Sequence, residues 1–126
     1  MLYFQYLENR GAAFGIFQDR KIFLVLLTSL ILVGVCYVLW KIPADKKYIY
    51  LKLLCFLITA GGIGNLIDRV RLDYVIDFIY FAPIDFPVFN VADIYVSVGM
   101  VFLFTVVLFY YKDEDFEFLK WKNKGV

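Results

Sequence analysis

Three long apolar runs, separated by short polar segments, dominate the pattern of the chain. Residues 22–40 and 94–111 contain no charged side chain, and each run is long enough to cross a hydrocarbon layer of about 30 Å as a helix. A third run, 48–67, contains only Lys52, which lies close enough to the preceding turn for its ammonium group to reach water. The pattern therefore predicts three transmembrane helices over these ranges.

Two shorter segments have the composition of β-strands. The residues before Asn9 are rich in aromatic and branched side chains and predict a short strand. The turn at 9–11 is followed by small residues that predict a second short extended piece. Residues 74–81 are also rich in β-forming side chains, and Pro83 and Pro87 mark the next segment as a loop. We expect strand 74–81 to lie at the membrane surface and to pair with the N-terminal strand.

Composition and charge place the chain in a membrane and orient it. Apolar residues make up 63% of the chain and the mean hydropathy is +0.74, whereas soluble domains are roughly 45–50% apolar. The turn at 41–47, Lys52 and the tail from residue 112 hold most of the Lys and Arg residues, so the positive-inside rule makes their side cytoplasmic. We expect residues 1–126 to form a single membrane-embedded, mainly α domain, a bundle of three transmembrane helices with a small β-sheet at the outer membrane surface.

The residue types that are missing exclude several classes of function. Histidine is absent, which excludes Ser-His and Cys-His nucleophiles and histidine-ligated zinc or haem. Cys36 and Cys55 lie inside apolar runs without a CxxC spacing and are predicted to be core or lipid-facing residues. A net charge of +1 without a dense basic patch gives no support for a nucleic-acid partner. Any hydrolytic chemistry must use carboxylates, Lys, Tyr or Ser.

Two carboxylates lie in strongly apolar surroundings, Asp77 within strand 74–81 and Asp93 directly before the last apolar run. Burying a lone carboxylate is costly, so we expect the two to share one site. Two like charges in one pocket cannot both ionise, and a helix dipole would keep Asp93 charged and leave the shared proton mainly on Asp77. Such a pair could act as acid and base when water attacks a carbonyl.

Each carboxylate also has a structural interpretation. Asn90 followed three residues later by Asp93 is a variant of the capping box, which would give Asp93 a structural role at a helix N-terminus. Asp77 could instead pair with Arg69 or Arg71. The residues alone leave both interpretations open.

A glycine-rich segment with polar residues ends the second apolar run. Three glycines within 61–64 allow another helix to approach closely. Asn65, Asp68 and Arg69 follow, and Asn65 and Arg69 share a helix face because they are four residues apart. The segment is either a packing seam with an interfacial Asp-Arg pair or a part of the site.

Four blocks of sequence together resemble the lipoprotein signal peptidases (signal peptidase II), which are bacterial membrane aspartic proteases. The blocks are Asn-Arg-Gly-Ala-Ala-Phe-Gly at 9–15, Gly-Gly-Ile-Gly-Asn-Leu-Ile-Asp-Arg at 61–69, Val-Ile-Asp-Phe at 75–78 and Phe-Asn-Val-Ala-Asp at 89–93. They occur in the family's order, and the resemblance covers the chain from about residue 3 to residue 111. One block would be weak, but four in order are specific.

The resemblance implies that Asp77 and Asp93 are the catalytic dyad. It implies further residues that line or brace the site, namely Asn9, Asn65, Asp68, Arg69 and Asn90. The implied substrate is a prolipoprotein with a diacylglyceryl group on its cysteine, cut on the N-terminal side of that cysteine to release the signal peptide. The antibiotic globomycin would bind between the two aspartates. No cofactor or metal is implied, and we expect a monomer in contact with lipid in the bacterial cytoplasmic membrane, with its active site on the outer face.

The chain departs from the family in its number of helices. Members have four, and this sequence starts at the surface strand where a first helix would already have ended. We expect a truncated coding sequence, a misassigned start codon or a reduced member. Two alternatives to an active peptidase stay open: an inactive member that only binds signal peptides or partner helices, and a small channel or transporter in which Asp77, Asp93 and Arg69 handle ions.

Overall fold

Three long helices and a two-stranded sheet form most of the computed structural model, which describes residues 1–121. Each helix matches one predicted apolar run and is long and apolar enough to cross a membrane. The predicted fold class, mainly α with three membrane helices and a small sheet, is confirmed. The last part of the charged tail, residues 122–126, lies outside the described residues. The elements in chain order are β1 (Leu2–Asn9), α1 (Lys21–Lys41), α2 (Ile49–Leu72), β2 (Val75–Phe81) and α3 (Val91–Phe109).

The sheet joins the two segments that were predicted as strands. β1 and β2 run antiparallel, with Asn9 opposite Val75 and Leu7 opposite Asp77. β2 follows α2 after a short turn, so the end of β1 lies next to the end of α2. The predicted pairing of the strands is confirmed, and it brings Asn9 close to Asp77.

The segment between β1 and α1 is a compact loop, so the predicted second extended piece is wrong. Ala13–Gly15 form a turn of 3-10 helix, and the Ala12 N–H donates to Ile16 O at 2.7 Å. Gly11 permits this tight closure, because a Cβ at that position would lie 2.5 Å from Ile16 O. Small side chains are compatible with both an extended segment and a closed loop, and here the backbone hydrogen bonds select the loop.

α2 continues past the predicted boundary at residue 67. It ends at Leu72, and the next residue, Asp73, adopts a left-handed conformation (φ 68°) and donates its backbone N–H to Arg69 O at 3.1 Å. A boundary placed where hydropathy falls is too early here, because helical hydrogen bonding continues until a residue caps the helix. Asp68 and Arg69 therefore lie within the helix.

Glycines let α2 pack closely against both of its neighbours. A Cβ on Gly61 would lie 2.5 Å from Ala92 O of α3, and one on Gly62 would lie 2.8 Å from Leu32 Cδ2 of α1. A Cβ on Gly64 would lie 3.5 Å from Ala92 Cβ, which is an ordinary contact. The predicted close approach is confirmed at Gly61 and Gly62, and it holds the first turn of α3 against α2.

We expect Gly61→Ala to be less stable than Gly64→Ala by about 1–3 kcal/mol, because the added methyl group at Gly61 would overlap a backbone carbonyl. Unfolding in detergent micelles measures the difference. Gly64→Ala is the matched control and should be as stable as the unsubstituted chain or up to about 1 kcal/mol more stable, since alanine favours the helix. Equal stability of the two variants would contradict the close approach at Gly61.

An aromatic cluster closes the end of the bundle that lies away from the sheet. Tyr111 stacks on Tyr48 with ring centroids 6.0 Å apart, and its hydroxyl donates to Lys47 O at 2.7 Å. Cys55 is buried in this cluster, and Cys36 is exposed on α1, in agreement with the two environments predicted for them. The polar residues singled out from the sequence lie at the opposite end, beside the sheet.

Candidate active site

A cavity of about 530 Å³ lies where the sheet, the end of α2 and the start of α3 meet. Asn90 is buried behind its wall, at the residue before α3. Within residues 1–121, no group of three or more His, Cys, Asp or Glu side chains is placed to hold a metal ion. The sequence-predicted site residues that line the cavity are Asn9, Asn65, Arg69, Asp77 and Asp93.

Asn90 connects the two carboxylates. Its Nδ2 donates to Asp77 Oδ1 at 2.8 Å, and its Oδ1 accepts the backbone N–H of Asp93 at 2.9 Å. Asp93 Oδ2 accepts the backbone N–H of Asn90 at 3.1 Å, which completes a capping box at the start of α3. The structural interpretation of Asp93 is therefore confirmed. It does not exclude a chemical role, because the same carboxylate also lines the cavity.

Asn65, on α2, forms a second link in this network. Its Nδ2 donates to Asp93 Oδ1 at 3.0 Å, and its Oδ1 accepts from Asn90 Nδ2 at 3.1 Å. Each oxygen of Asp93 thus accepts one hydrogen bond, from Asn65 and from the Asn90 backbone. The Asn90 NH₂ group donates to both Asn65 and Asp77, so the hydrogen bonds determine which side-chain atom of Asn90 and of Asn65 is the nitrogen and which is the oxygen.

Asn9, at the end of β1, holds the other oxygen of Asp77. Its Nδ2 donates to Asp77 Oδ2 at 3.1 Å, while its Oδ1 accepts the backbone N–H of Gly11 at 2.9 Å. The bond from Gly11 directs the NH₂ end of the Asn9 amide toward the carboxylate. Asp77 is only 2% exposed, and both of its oxygens accept hydrogen bonds. A buried carboxylate that is held in this way has a fixed orientation.

Arg69 reaches the cavity, whereas Asp68 does not. Arg69 Nη2 donates to Gly11 O at 3.0 Å, and its Nε is buried without a hydrogen-bond partner among residues 1–121. Among residues 1–121, the Asp68 side chain forms no hydrogen bond. No ion pair in this range joins Arg69 to Asp68 or to Asp77. The interfacial Asp-Arg pair and the pairing of Asp77 with Arg69 or Arg71 are therefore not found in the described structure.

The surroundings of Asp77 raise the pKa of its carboxyl above the usual value. Burial is the largest cause because it disfavours the charged form, and the negative charge of Asp93 acts in the same direction. Hydrogen bonds from Asn9 and Asn90 and the positive charge of Arg69 oppose the rise. Asp77 therefore retains a proton to a higher pH than an isolated aspartate would.

The apolar walls of the cavity were not predicted from the sequence. Phe14, from the loop after β1, meets Phe86, from the segment after β2, edge to face with ring centroids 6.2 Å apart. Where a loop aromatic points depends on contacts with other elements, so no local pattern identifies it. The α3 wall could have been found, since Ser97 and Val98 lie one helical turn beyond Asp93 and Ile94. The main apolar lining residues are Ala13, Phe14, Phe86, Pro87, Val88, Phe89, Ile94 and Val98.

Relatives of this chain are found among curated sequences. The family model described as Signal peptidase (SPase) II matches residues 1–109. A protein of Clostridium tetani (strain Massachusetts / E88) named lipoprotein signal peptidase is 44% identical over an alignment of 117 residues, with 90% of this chain and 72% of that protein covered. A protein of the same name from Streptococcus thermophilus (strain CNRZ 1066) is 46% identical over 110 residues, with 87% and 69% of the two chains covered.

Two solved structures of bacterial membrane enzymes have the same fold as this chain. A bacterial membrane enzyme determined by the in meso method at 2.3 Å resolution superposes with a TM-score of 0.75 at 30% identity, covering 99% of this chain and 72% of that one. A second bacterial membrane enzyme, determined by the same method at 1.9 Å, gives a TM-score of 0.70 at 32% identity over 88% of this chain and 71% of its own. Members of the matched family are peptidases, and three membrane helices fit an integral membrane protein. The chain belongs to the signal peptidase II family.

Proposed function

We propose that the chain is an aspartic endopeptidase that removes signal peptides from diacylglyceryl-modified prolipoproteins, cutting on the N-terminal side of the lipidated cysteine. The observation that carries this proposal is the pair of carboxylates, Asp77 and Asp93, which one asparagine joins at the wall of a cavity of about 530 Å³. The names of the relatives, each a lipoprotein signal peptidase, support the substrate class.

In the proposed mechanism the two carboxylates share one proton. Ionised Asp93 removes a proton from a water molecule as its oxygen attacks the scissile carbonyl, and protonated Asp77 donates a hydrogen bond to the carbonyl oxygen. The tetrahedral intermediate then collapses and the C–N bond breaks. The nitrogen of the lipidated cysteine takes up the proton that Asp93 removed from the water and leaves as an amine, which returns Asp93 to its ionised form. Both carboxylates line one cavity, which supports their joint action on one peptide bond.

Two features support this assignment of the proton. Burial and the charge of Asp93 raise the pKa of Asp77, so Asp77 favours the neutral form. Asp93 lies in the first turn of α3, where the helix dipole favours a negative charge by about 0.3–1 kcal/mol. The raised pKa of the Asp77 carboxyl is the direction that the acid of the pair requires.

The remaining predicted residues are proposed to position the pair. Asn9 and Asn90 orient Asp77, and Asn65 orients Asp93, through the hydrogen bonds described above. Arg69 ties the end of α2 to the loop after β1 through Gly11 O. For Asp68 we propose a bracing role beside Arg69 at the helix end, away from the cavity.

The proposed setting is the bacterial cytoplasmic membrane, with the site at its outer face. The cavity lies at the sheet end of the bundle, and most of the lysines lie at the other end, which the positive-inside rule makes cytoplasmic. A substrate whose lipid chains remain in the outer leaflet would present its cleavage site at this depth. We propose that the chain acts as a monomer surrounded by lipid and needs no cofactor or metal.

The proposal is tested by incubating the purified chain in detergent micelles with a prolipoprotein peptide that carries an S-diacylglyceryl cysteine. Mass spectrometry of the products should identify a single cut directly before that cysteine. The same peptide with an unmodified cysteine is the control, and it should be cut much more slowly because the binding energy of the lipid is lost.

The outcomes separate the competing functions. Binding of the lipidated peptide without cleavage would replace the proposal with an inactive member that holds signal peptides. Equal cleavage of both peptides would retain the peptidase but contradict the lipid-modified substrate. Cleavage at another bond would contradict the proposed position of the cysteine between the carboxylates and the lipid.

A further inference from the structure

Ser97 is a polar residue of the cavity that the proposed mechanism does not use. It lies on α3 four residues after Asp93, so the two side chains are on the same face and about 6 Å apart along the helix axis. Both residues line the cavity, and Val98 extends the same wall. The cavity therefore continues from the carboxylates along α3 into the depth of the membrane.

The hydroxyl group of Ser97 has no hydrogen-bond partner among residues 1–121, and the side chain is exposed. A serine or threonine in a membrane helix usually donates to the carbonyl four residues earlier. Thr105 does so in the same helix, with its Oγ1 donating to Val101 O at 2.8 Å. Ser97 thus presents a free donor within an apolar wall, where a hydroxyl without a partner is costly.

The chemistry of the proposed substrate supplies an acceptor at this depth. When the scissile bond lies at the carboxylates, the cysteine side chain and its glycerol group extend toward the lipid along α3. The two ester groups of the diacylglycerol then follow within a few bonds of the sulfur, and each ester carbonyl is a hydrogen-bond acceptor. The acyl chains beyond them have no polar atoms, so the ester carbonyls are the strongest hydrogen-bond acceptors that this lipid offers to a hydroxyl in the cavity wall.

We propose that Ser97 is a specificity-determining residue whose hydroxyl donates a hydrogen bond to an ester carbonyl of the substrate's diacylglyceryl group. This inference rests on the proposed function, because it takes the lipidated cysteine to lie beside Asp77 and Asp93. Ser97 would distinguish ester-linked from ether-linked lipid, a distinction that the apolar walls cannot make because both lipids carry the same chains.

The experiment compares two lipopeptides that differ only in this acceptor, one with a diacyl (ester) and one with a dialkyl (ether) glyceryl group on the cysteine. Their Kd values are measured in micelles in the Asp77→Asn background, so that the result does not depend on turnover. With Ser97 present, the ester should bind roughly tenfold more tightly than the ether, which is the net effect of one hydrogen bond. Ser97→Ala should bind both lipopeptides with the weaker affinity, and Ser97→Thr should restore the preference.

Thr105→Val is the matched control, because it removes a hydroxyl from the same helix that is bonded within the protein. It should keep the ester preference. The inference is overturned when Ser97→Ala weakens the binding of both lipopeptides equally or changes the binding of neither. Failure of the proposed function has a different signature: the unsubstituted chain then binds the ester preferentially through Ser97 but does not cleave it.

Discussion

Replacing either Asp77 or Asp93 with asparagine is expected to lower the rate of lipopeptide cleavage by roughly 100- to 10,000-fold, which is the range for losing a general acid or base. Asparagine keeps the size of aspartate but cannot take up or release the proton that the proposed mechanism moves. The double variant should cleave at nearly the same rate as the slower of the two single variants, because the two groups act as one unit. Single-turnover cleavage in micelles measures all three rates.

Asp19→Asn is the matched control for this experiment. Asp19 is an exposed aspartate of the loop between β1 and α1, and its left-handed backbone (φ 58°) is one that asparagine also accepts. The variant makes the same change of charge outside the cavity and should cleave at the rate of the unsubstituted chain. Unfolding temperatures must show that the Asp77 and Asp93 variants are folded. Folded variants that retain more than about a tenth of the activity would contradict the acid and base roles.

The helices and the two carboxylates could be predicted from the sequence because each has a local cause. A long uncharged run has few stable alternatives to a membrane helix, and Asp77 is conspicuous as a charge inside an apolar strand. The capping box was also visible, because Asn90 and Asp93 are close in sequence and form it within one turn.

The asparagine network could not be predicted, because its bonds join residues from four elements, β1, α2, β2 and the start of α3. Asn9 is 68 positions from Asp77, and Asn65 is 28 positions from Asp93. Spacing indicated that Asn65 and Arg69 share a face of α2, and both line the cavity. The family resemblance implies that Asp68 lines or braces the site. Consecutive helix residues point about 100° apart, and of Asp68 and Arg69 only Arg69 reaches the cavity.

Asn90 combines two roles that one substitution can separate. Its Oδ1 caps α3 by accepting the Asp93 N–H, and its Nδ2 donates to Asp77. Serine at this position keeps the cap, because its hydroxyl oxygen accepts the same N–H, but its side chain is too short to replace the amide donor. We therefore expect both variants to lose about 1–3 kcal/mol with the buried bond to Asp77, and Asn90→Ala to lose about 1 kcal/mol more with the cap.

The activity of Asn90→Ser should nevertheless fall roughly 10- to 100-fold, because a hydrogen bond to a carboxyl in the site is worth about 1.5–3 kcal/mol. The pH dependence of the activity should also change, because the Asn90 hydrogen bond lowers the pKa of Asp77 and opposes the larger effect of burial. Without this bond the pKa of Asp77 rises further, so the proton is lost at a higher pH. The alkaline limb of the kcat/KM profile, which reports that loss in the proposed mechanism, should move to higher pH. An unchanged alkaline limb in a stable Asn90→Ser variant would show that Asn90 only caps the helix and that Asp77 does not supply the acidic proton.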